Sequence, residues 1–370
     1  MKLNSDIAIV IPSLNPGSEL PDLVRSLRQR LANFVIVVND GSSESFDEIF
    51  AEVASVPDVF VLRHSRNCGK GRALKTAFQE YLRRFPQGRG VVIADADGQH
   101  LSEDVAKLVQ ELEQMTSPRL LLGVRDFSRA GVPMKSRIGN WSSTFTLFLM
   151  TGCWCSDTQT GLRGIPGSLL PVMIKLPGER FEYETAMLAD CIQRNIPIAE
   201  MVITTVYRDD NRGSHFQPFH DSWQIFQIFL ALFAKSFFLF AGNGLFSALL
   251  DISCFAFLYH YVVVPIEAGR LFFSVLIARA ISLCVNYLIN KKVVFRTQRI
   301  SNRKRPFYQK SFARYLALCA LIATLSWLLT WAGSTVCRGS NVVWVKIVVA
   351  AALFLLSFFL QKCWCFAPEK

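Results

Sequence analysis

Val91–His100 reads VVIADADGQH. The apolar run is that of a buried strand, yet it ends in two carboxylates, Asp95 and Asp97, with Gln99 and His100 directly behind them. The same alternation recurs outward over residues 6–205. DIAIVIP (6–12) precedes ELPDLVRSLRQRLA (19–32), which has helical spacing. FVIVVND (34–40) precedes SFDEIFAEVA (45–54), and DVFVLRH (58–64) precedes KGRALKTAFQEYLRRF (70–85). Near-continuous apolar strands separated by amphipathic helices predict an α/β domain whose parallel sheet is covered on both faces. Such sheets bind ligands beyond the carboxyl ends of their strands. Asn39, Asp40, Asp95 and Asp97 all fall at those ends.

Past about residue 235 the chain changes solvent. Apolar segments near 237–259, 268–290, 312–333 and 342–360 each approach the ~20 residues that cross a bilayer as a helix. They predict an all-α, four-span transmembrane domain over 236–370, after a first domain over 1–215. Between them, residues 216–235 repeat Phe, Trp and Ile at helical spacing and predict an amphipathic helix in the membrane interface. Residues 291–310, KKVVFRTQRISNRKRPFYQK, hold eight Lys or Arg and no acid. The positive-inside rule makes that loop cytosolic, and four spans then place both termini and the first domain in the cytosol. Asp251 and Arg279 fall at matching depths in the first two segments. Charges at mid-span are costly, so the two are expected to pair.

The bulk numbers agree with two solvents: 51% of the 370 residues are hydrophobic, and the formal net charge is +11. A basic balance suits a membrane surface or phosphorylated ligands, and its concentration in one juxtamembrane loop favours anionic lipid over nucleic acid. The cysteines are scattered, without C-x-x-C pairs or a His cluster, and read as reduced small hydrophobes. The short run IAIVIP, followed at once by Asn15 and Pro16, is no signal peptide.

A D-x-D after a strand has an ordinary explanation, since acids often cap the next helix, here beginning near Ser102 and Glu103. The functional alternative is a divalent cation. Hard oxygen ligands without a His or Cys cluster suit Mg²⁺ or Mn²⁺ held together with substrate phosphates.

The surrounding motifs favour the second reading. VIPSLNPGSELPDLVRSL (10–27), VVNDGSSE (37–44), RNCGKGRALKTAF (66–78), GVRDF (123–127), DTQTGLRGIP (157–166) and RFEYETAMLADCIQRNIPIAEMVI (180–203) occur in this order. Together they strongly resemble a family-2 glycosyltransferase with the Rossmann-like GT-A fold, and within it the polyprenyl-phosphate glycosyltransferases. FAGNGLFSALLD (240–251) and VNYLINKKVVF (285–295) are similar to the GtrA-like four-helix membrane domain.

The resemblance implies roles. Pro12 and Asn15 line the nucleotide pocket, although Leu14 and Pro16 replace an aromatic and an acid of the family's first motif. Asp40 contacts the base or ribose. Asp95 and Ala96 lie near the nucleotide sugar, and Asp97 with Gln99 holds the metal. Arg125 and Arg163 sit by the phosphates, where Arg suits bidentate contacts. Asp157 and Glu184 orient the sugar. Arg212, Ser214 and His215, in NRGSHF (211–216), take the acceptor phosphate. Gly69-Lys70-Gly71 lacks the spacing of a phosphate loop and reads as a turn into a helix whose N-terminus faces the nucleotide.

The implied reaction is inverting, metal-dependent transfer of one sugar from a nucleoside-diphosphate sugar, UDP over GDP, to a polyprenyl phosphate. Catalysis is expected from Asp95, Asp97, Asp157 and Arg125. Two rivals stay open: a processive polysaccharide synthase, disfavoured because no tryptophan follows an arginine, and a non-catalytic carrier of lipid-linked sugar. Homo-oligomerisation also stays open.

Overall fold

The computed structural model describes residues 6–31, 33–128, 132, 134–204, 218–261, 267–295, 307–336 and 342–366. They form two compact units, Met1–Leu147 with Trp154–Leu230, and Phe148–Cys153 with Ala231–Lys370.

The first unit is built on strands β1 (Ile7–Ser13), β2 (Phe34–Asn39), β3 (Val59–Arg63), β4 (Gly90–Ile93), β5 (Leu120–Arg125), β6 (Arg163–Pro166) and β7 (Ile198–Ile203). Helices α1 (Glu19–Arg30), α2 (Asp47–Ala54), α3 (Lys70–Arg84), α4 (Ser102–Glu113), α5 (Met134–Thr151), α6 (Leu170–Met173) and α7 (Glu182–Arg194) intervene. The seven strands form one sheet in the order β3-β2-β1-β4-β6-β5-β7. Every residue of β1 is buried, as a central strand covered on both faces requires. One core packs Ile9 and Ile11 of β1 with Val24 and Leu27 of α1 and Val105 and Leu108 of α4.

The chain leaves β1 in one direction to build β2 and β3, then returns to lay β4 on the other side of β1. The boundary between β1 and β4 is therefore the point where the strand order reverses, and a crevice opens there. The register brings the strand ends level. Asp40 N donates to Ser13 O at 2.9 Å and Ala94 N to Val10 O at 2.9 Å.

The expectation of an all-parallel sheet needs correction. β6 runs antiparallel to both β4 and β5, so the sheet is mixed. Its four residues close the stretch DTQTGLRGIP (157–166), and so short a segment has no periodicity of its own. Gly164 lets it lie close to β5, since a Cβ there would stand 3.0 Å from Leu121 Cδ1.

The second unit contains most of α8 (Pro218–Tyr261) and all of α9 (Glu267–Ile289), α10 (Phe307–Val336) and α11 (Val342–Leu360). Among the described residues, four helices are long and apolar enough to cross a membrane: Trp223–Tyr261, Phe273–Val294, Lys310–Gly333 and Val345–Cys365. The separate interfacial helix expected at 216–235 is not separate. α8 runs without a break through 44 residues. At 1.5 Å per residue that is about 66 Å, roughly twice the ~30 Å of a hydrocarbon core. Apolar content marks both parts, so the sequence draws no boundary where the helix has none.

Phe240, Phe295 and Phe358 pack together in this unit, with ring centroids 5.3–5.9 Å apart. A ladder of amides lies beside them. Asn243 Nδ2 donates to Asn290 Oδ1 at 2.7 Å, and Asn290 Nδ2 to Gln361 Oε1 at 2.9 Å. Asn286 Nδ2 donates to Ser247 Oγ at 2.8 Å and its Oδ1 accepts from Tyr315 at 2.8 Å. Polar side chains in hydrocarbon are stable only with partners of this kind. α9 and α11 each end in a five-residue π-helical turn, Asn290–Val294 and Gln361–Cys365, whose first residues are the bonded Asn290 and Gln361.

Arg279 Nη2 lies 3.2 Å from Asp251 Oδ2, and Asp251 also accepts from Ser282 Oγ at 3.1 Å. The pair expected from the sequence is thus formed. Asp251→Asn and Arg279→Gln should each lower the yield and melting temperature of the full chain in detergent, because each leaves one charge alone. The double variant should recover much of the loss, a positive coupling in a double-mutant cycle. Strictly additive losses would show that the contact carries no energy.

Candidate active site

The crevice at the β1/β4 boundary is a pocket assembled from five strand and helix ends. Pro12, Ser13, Leu14, Asn15 and Pro16 come from the end of β1, and Asp40 from the end of β2. Asp95, Ala96 and Asp97 follow β4, while Asn67, Gly69, Lys70 and Ala73 lead into α3. Arg180 and Phe181 close it from the approach to α7. Five of the residues expected at the nucleotide sugar, Pro12, Asn15, Asp40, Asp95 and Ala96, meet here with Asp97.

Lys70, not singled out from sequence, lies at the centre of the charge arrangement. Its Nζ is 2.7 Å from Asp95 Oδ1 and 3.0 Å from Glu184 Oε1. Burial works against the ammonium, but the charges of Asp95 and Glu184 overcome it and hold Lys70 above the usual lysine range. Burial likewise opposes the Asp95 carboxylate, and the charges of Lys70, His100 and Arg125 outweigh it, leaving the pKa at about 2. Glu184 therefore reaches the site through Lys70.

Gly69 makes this placement possible. Its φ is +101°, a region that favours glycine, and a Cβ would stand 2.3 Å from Glu179 O. Arg72 N donates to Glu179 O at 3.0 Å and Lys75 Nζ to Gly178 O at 2.7 Å, tying the start of α3 to the approach of α7. Gly69 N donates to Asp40 Oδ2 at 2.7 Å, and the turn brings the start of α3, with Lys70, to the pocket.

Asp40 lines the pocket with both oxygens engaged. Oδ1 accepts from Cys68 N at 3.0 Å and lies 2.6 Å from His64 Nδ1, whose other nitrogen is 2.9 Å from Thr76 Oγ1. His64, which sequence reading also missed, orients Asp40. Its position directly after β3 is the signal that was available.

Asp97 differs from Asp95. Burial and the neighbouring Asp95 charge push its carboxyl above the usual range, and among the described residues no cation pairs with it. Its Oδ1 accepts from Gln99 N at 3.0 Å, so Gln99 meets it through the backbone. Two oxygen-bearing carboxyls, one held by a lysine and one without a cation, form a donor set that fits a hard divalent ion. Gly161 leaves room for Asp95, since a Cβ there would stand 2.1 Å from Asp95 Oδ2.

Three expected residues are placed elsewhere. Arg163 is fully buried and donates to the carbonyls of Thr160 (2.8 Å), Glu184 (2.5 Å) and Thr158 (3.3 Å). It braces β6 and α7 and is not on the pocket wall. Asp157 is fully buried as well, and its two oxygens receive Arg125 Nε at 2.7 Å and Nη2 at 3.0 Å. Arg125 and Asp157 thus serve each other beside the pocket, and the Arg125 charge is felt at Asp95. Arg212, Ser214 and His215 lie outside the described residues.

Comparison with known proteins defines the class. Residues 8–151 match glycosyl transferase family 2, and residues 239–366 match the GtrA/DPMS transmembrane domain. The chain is a multi-pass membrane glycosyltransferase that joins a family-2 domain to a GtrA/DPMS-type membrane domain. The UDP-N-acetylglucosamine–dolichyl-phosphate N-acetylglucosaminyltransferase of Methanococcus voltae is 26% identical over 223 residues, 55% of this chain and 86% of the relative. The dolichyl-phosphate beta-glucosyltransferase of Mus musculus is 28% identical over 243 residues, 59% of this chain and 71% of the relative. Among solved structures, glucosyl-3-phosphoglycerate synthase from Mycobacterium tuberculosis, in complex with Mn²⁺, UDP and glucosyl-3-phosphoglycerate, is 18% identical with a TM-score of 0.46. It covers 63% of this chain and 81% of its own.

Lys70→Met would leave Asp95 and Glu184 facing each other without their shared cation. Breaking a buried pair in this way costs about 3 kcal/mol or more. The melting temperature of the full chain in detergent should fall and transfer should be lost, while Lys70→Arg should melt close to wild type. A Lys70→Met protein that melts with the wild type would remove the ammonium from this role.

Proposed function

We propose that the chain transfers one sugar from a nucleoside-diphosphate sugar, UDP-linked in preference to GDP-linked, to a polyprenyl phosphate at the cytosolic face of a membrane. The observation that carries the reading is the Asp95–Lys70–Glu184 arrangement with Asp97 at the strand-order reversal, in a chain that also bears four candidate spans. The names of the two relatives, both acting on dolichyl phosphate, support the acceptor class.

Asp97, with Asp95 beside it, would hold a Mg²⁺ or Mn²⁺ ion, which when bound neutralises charge on the leaving diphosphate. The protein's own groups do the positioning. Lys70 keeps Asp95 ionised and fixed against the donor. Asp40, oriented by His64, meets the base or ribose, and Pro12 and Asn15 wall the nucleotide. Arg125, clamped by Asp157, adds positive charge next to the donor phosphates. Glu184, held through Lys70, orients the sugar. Arg212, Ser214 and His215 grip the acceptor phosphate.

The acceptor needs no general base, because a phosphate monoester with a second pKa near ~6 is already an anion at neutral pH. One of its oxygens forms the bond to the anomeric carbon while the bond from that carbon to the diphosphate oxygen breaks. The electron pair leaves with the nucleoside diphosphate. One displacement inverts the anomeric configuration, and its barrier is lowered by positioning and by charges already in place.

Purified full chain in liposomes, given a panel of UDP- and GDP-sugars with undecaprenyl phosphate, should yield one lipid-linked sugar by mass spectrometry. Excess chelator should abolish the product. Asp97→Ala should do the same with an unchanged melting temperature, and its undiminished turnover would overturn the metal assignment. Arg212→Ala should raise the apparent KM for the lipid and spare donor affinity. The opposite pattern would move Arg212 to the nucleotide.

A further inference from the structure

His64 and Cys68 lie 24 and 28 residues beyond Asp40, too far along the chain for the three to read as one group in sequence. The fold brings them together. β2 pairs with β3 in parallel, with Asn39 opposite Arg63, so Asp40 and His64 leave adjacent strand ends. Among the described residues, one donor atom from each of Asp40, His64 and Cys68 lies within 4.8 Å of the other two. The trio offers a carboxylate oxygen, an imidazole nitrogen and a sulfur. Asp95 and Asp97 offer oxygen alone. Mixed nitrogen, sulfur and oxygen donors suit Zn²⁺ and other thiophilic divalent ions, whereas Mg²⁺ and Mn²⁺ select oxygen.

The supports of such a site are in place. His64 Nδ1 lies 2.6 Å from Asp40 Oδ1, and its Nε2 is 2.9 Å from Thr76 Oγ1. A ligating imidazole is normally fixed by a partner on its other nitrogen, and Thr76 supplies one. Asp40 is buried, with Oδ2 held by Gly69 N. Cys68 N donates to Asp40 Oδ1 at 3.0 Å and so fixes its own side chain beside the carboxylate. Cys68 is a partly exposed free thiol whose Sγ donates to Arg66 O at 3.3 Å. A Cβ on Gly41 would stand 2.1 Å from Arg66 C, so the two loops that carry the trio are pressed together. Ligands at ~2.0–2.3 Å from one tetrahedral ion stand about 3.5 Å apart. That spacing falls between the 2.6 Å of the Asp40–His64 contact and the 4.8 Å that bounds the trio. Small side-chain movements therefore form the site.

We propose that Asp40, His64 and Cys68 bind a thiophilic divalent cation, Zn²⁺ or an ion of its class, and that its binding withdraws Asp40 from the nucleotide pocket. Asp40 lines that pocket, as do Asn67 and Gly69 on either side of Cys68. Cys68 enters as the thiolate and its proton goes to solvent. Three protein ligands leave the fourth position of the ion to water. The cation site stands on the geometry alone, and the competition with nucleotide rests on the role given to Asp40 above.

The test uses the full chain in detergent, stripped by chelator and kept in excess Mg²⁺ to occupy the oxygen-only carboxyls. It is titrated with Zn²⁺ against a chromophoric chelator and, separately, with Co²⁺. Wild type should bind one Zn²⁺ more than Cys68→Ala, and should show a thiolate-to-cobalt charge-transfer band that Cys68→Ala lacks. His64→Gln should weaken Zn²⁺ binding by more than ~100-fold, beyond what loss of a supporting contact costs. By calorimetry, the UDP affinity of wild type should fall several-fold once Zn²⁺ is bound. Cys68→Ala should melt with the wild type and bind UDP equally with and without Zn²⁺. Equal Zn²⁺ stoichiometry and identical cobalt spectra in wild type and Cys68→Ala would overturn the site. A loaded site with unchanged UDP affinity would overturn the withdrawal of Asp40, and the proposal with it. A loaded site in a protein that binds UDP under neither condition would support the cation site and overturn the nucleotide reading instead.

Discussion

One ammonium between two carboxylates organises the catalytic unit. Asp95 follows β4 and Glu184 comes from α7. Lys70 satisfies both at 2.7 and 3.0 Å. The backbone follows from that requirement. Gly69 adopts a conformation that favours glycine so that Lys70 can point inward. The approach to α7 is tied to the start of α3 so that Glu184 arrives at the right height. Gly161 lacks a side chain so that Asp95 has space. Desolvated charge is costly, and these local choices remove the cost together. Asp97 is left outside the arrangement, a carboxyl that burial and its neighbour make reluctant to ionise alone.

Much of this site was legible because strand ends are legible. Apolar runs that stop in Asn39-Asp40 and in Asp95-Ala96-Asp97 announce the carboxyl edge of the sheet, and the pocket lies there. What stayed hidden was the identity of each polar group's partner. Arg163 looks in sequence like a phosphate ligand, yet its guanidinium faces three backbone carbonyls, which no residue type reveals. Arg125 and Asp157 each resemble a substrate contact, but 32 positions apart they neutralise each other. Lys70 was masked by its own glycines, which invited comparison with a phosphate loop. β6 was lost because four residues show no periodicity, and its reversed direction is a property of the connection. The unbroken α8 was lost because interfacial and spanning helices are both apolar.

In the membrane unit, the residues that carried the resemblance acquire a physical reason. Asn243, in FAGNGLF, and Asn286 and Asn290, in VNYLINKK, are the rungs of the amide ladder. The same helices also bring Phe240, Phe295 and Phe358 together. Apolar packing gives little direction among helices that lie in an apolar solvent. Hydrogen bonds between amides specify which helix faces which, and at what height.

That ladder also orders events during synthesis. The amide of Asn290 is completed by Gln361, 71 residues later in the chain. When α8 and α9 have emerged from a ribosome, Asn290 can accept from Asn243 and donate one amide hydrogen to Asn286 Oδ1, but its other amide hydrogen lacks the Gln361 acceptor until α11 has been made. A nascent chain paused before its last helix carries an unmet polar group at the edge of the hydrocarbon, where water or the insertion machinery must satisfy it. Arrival of α11 supplies that acceptor, so the hydrogen bonding that begins between α8 and α9 is complete only when Gln361 is in place.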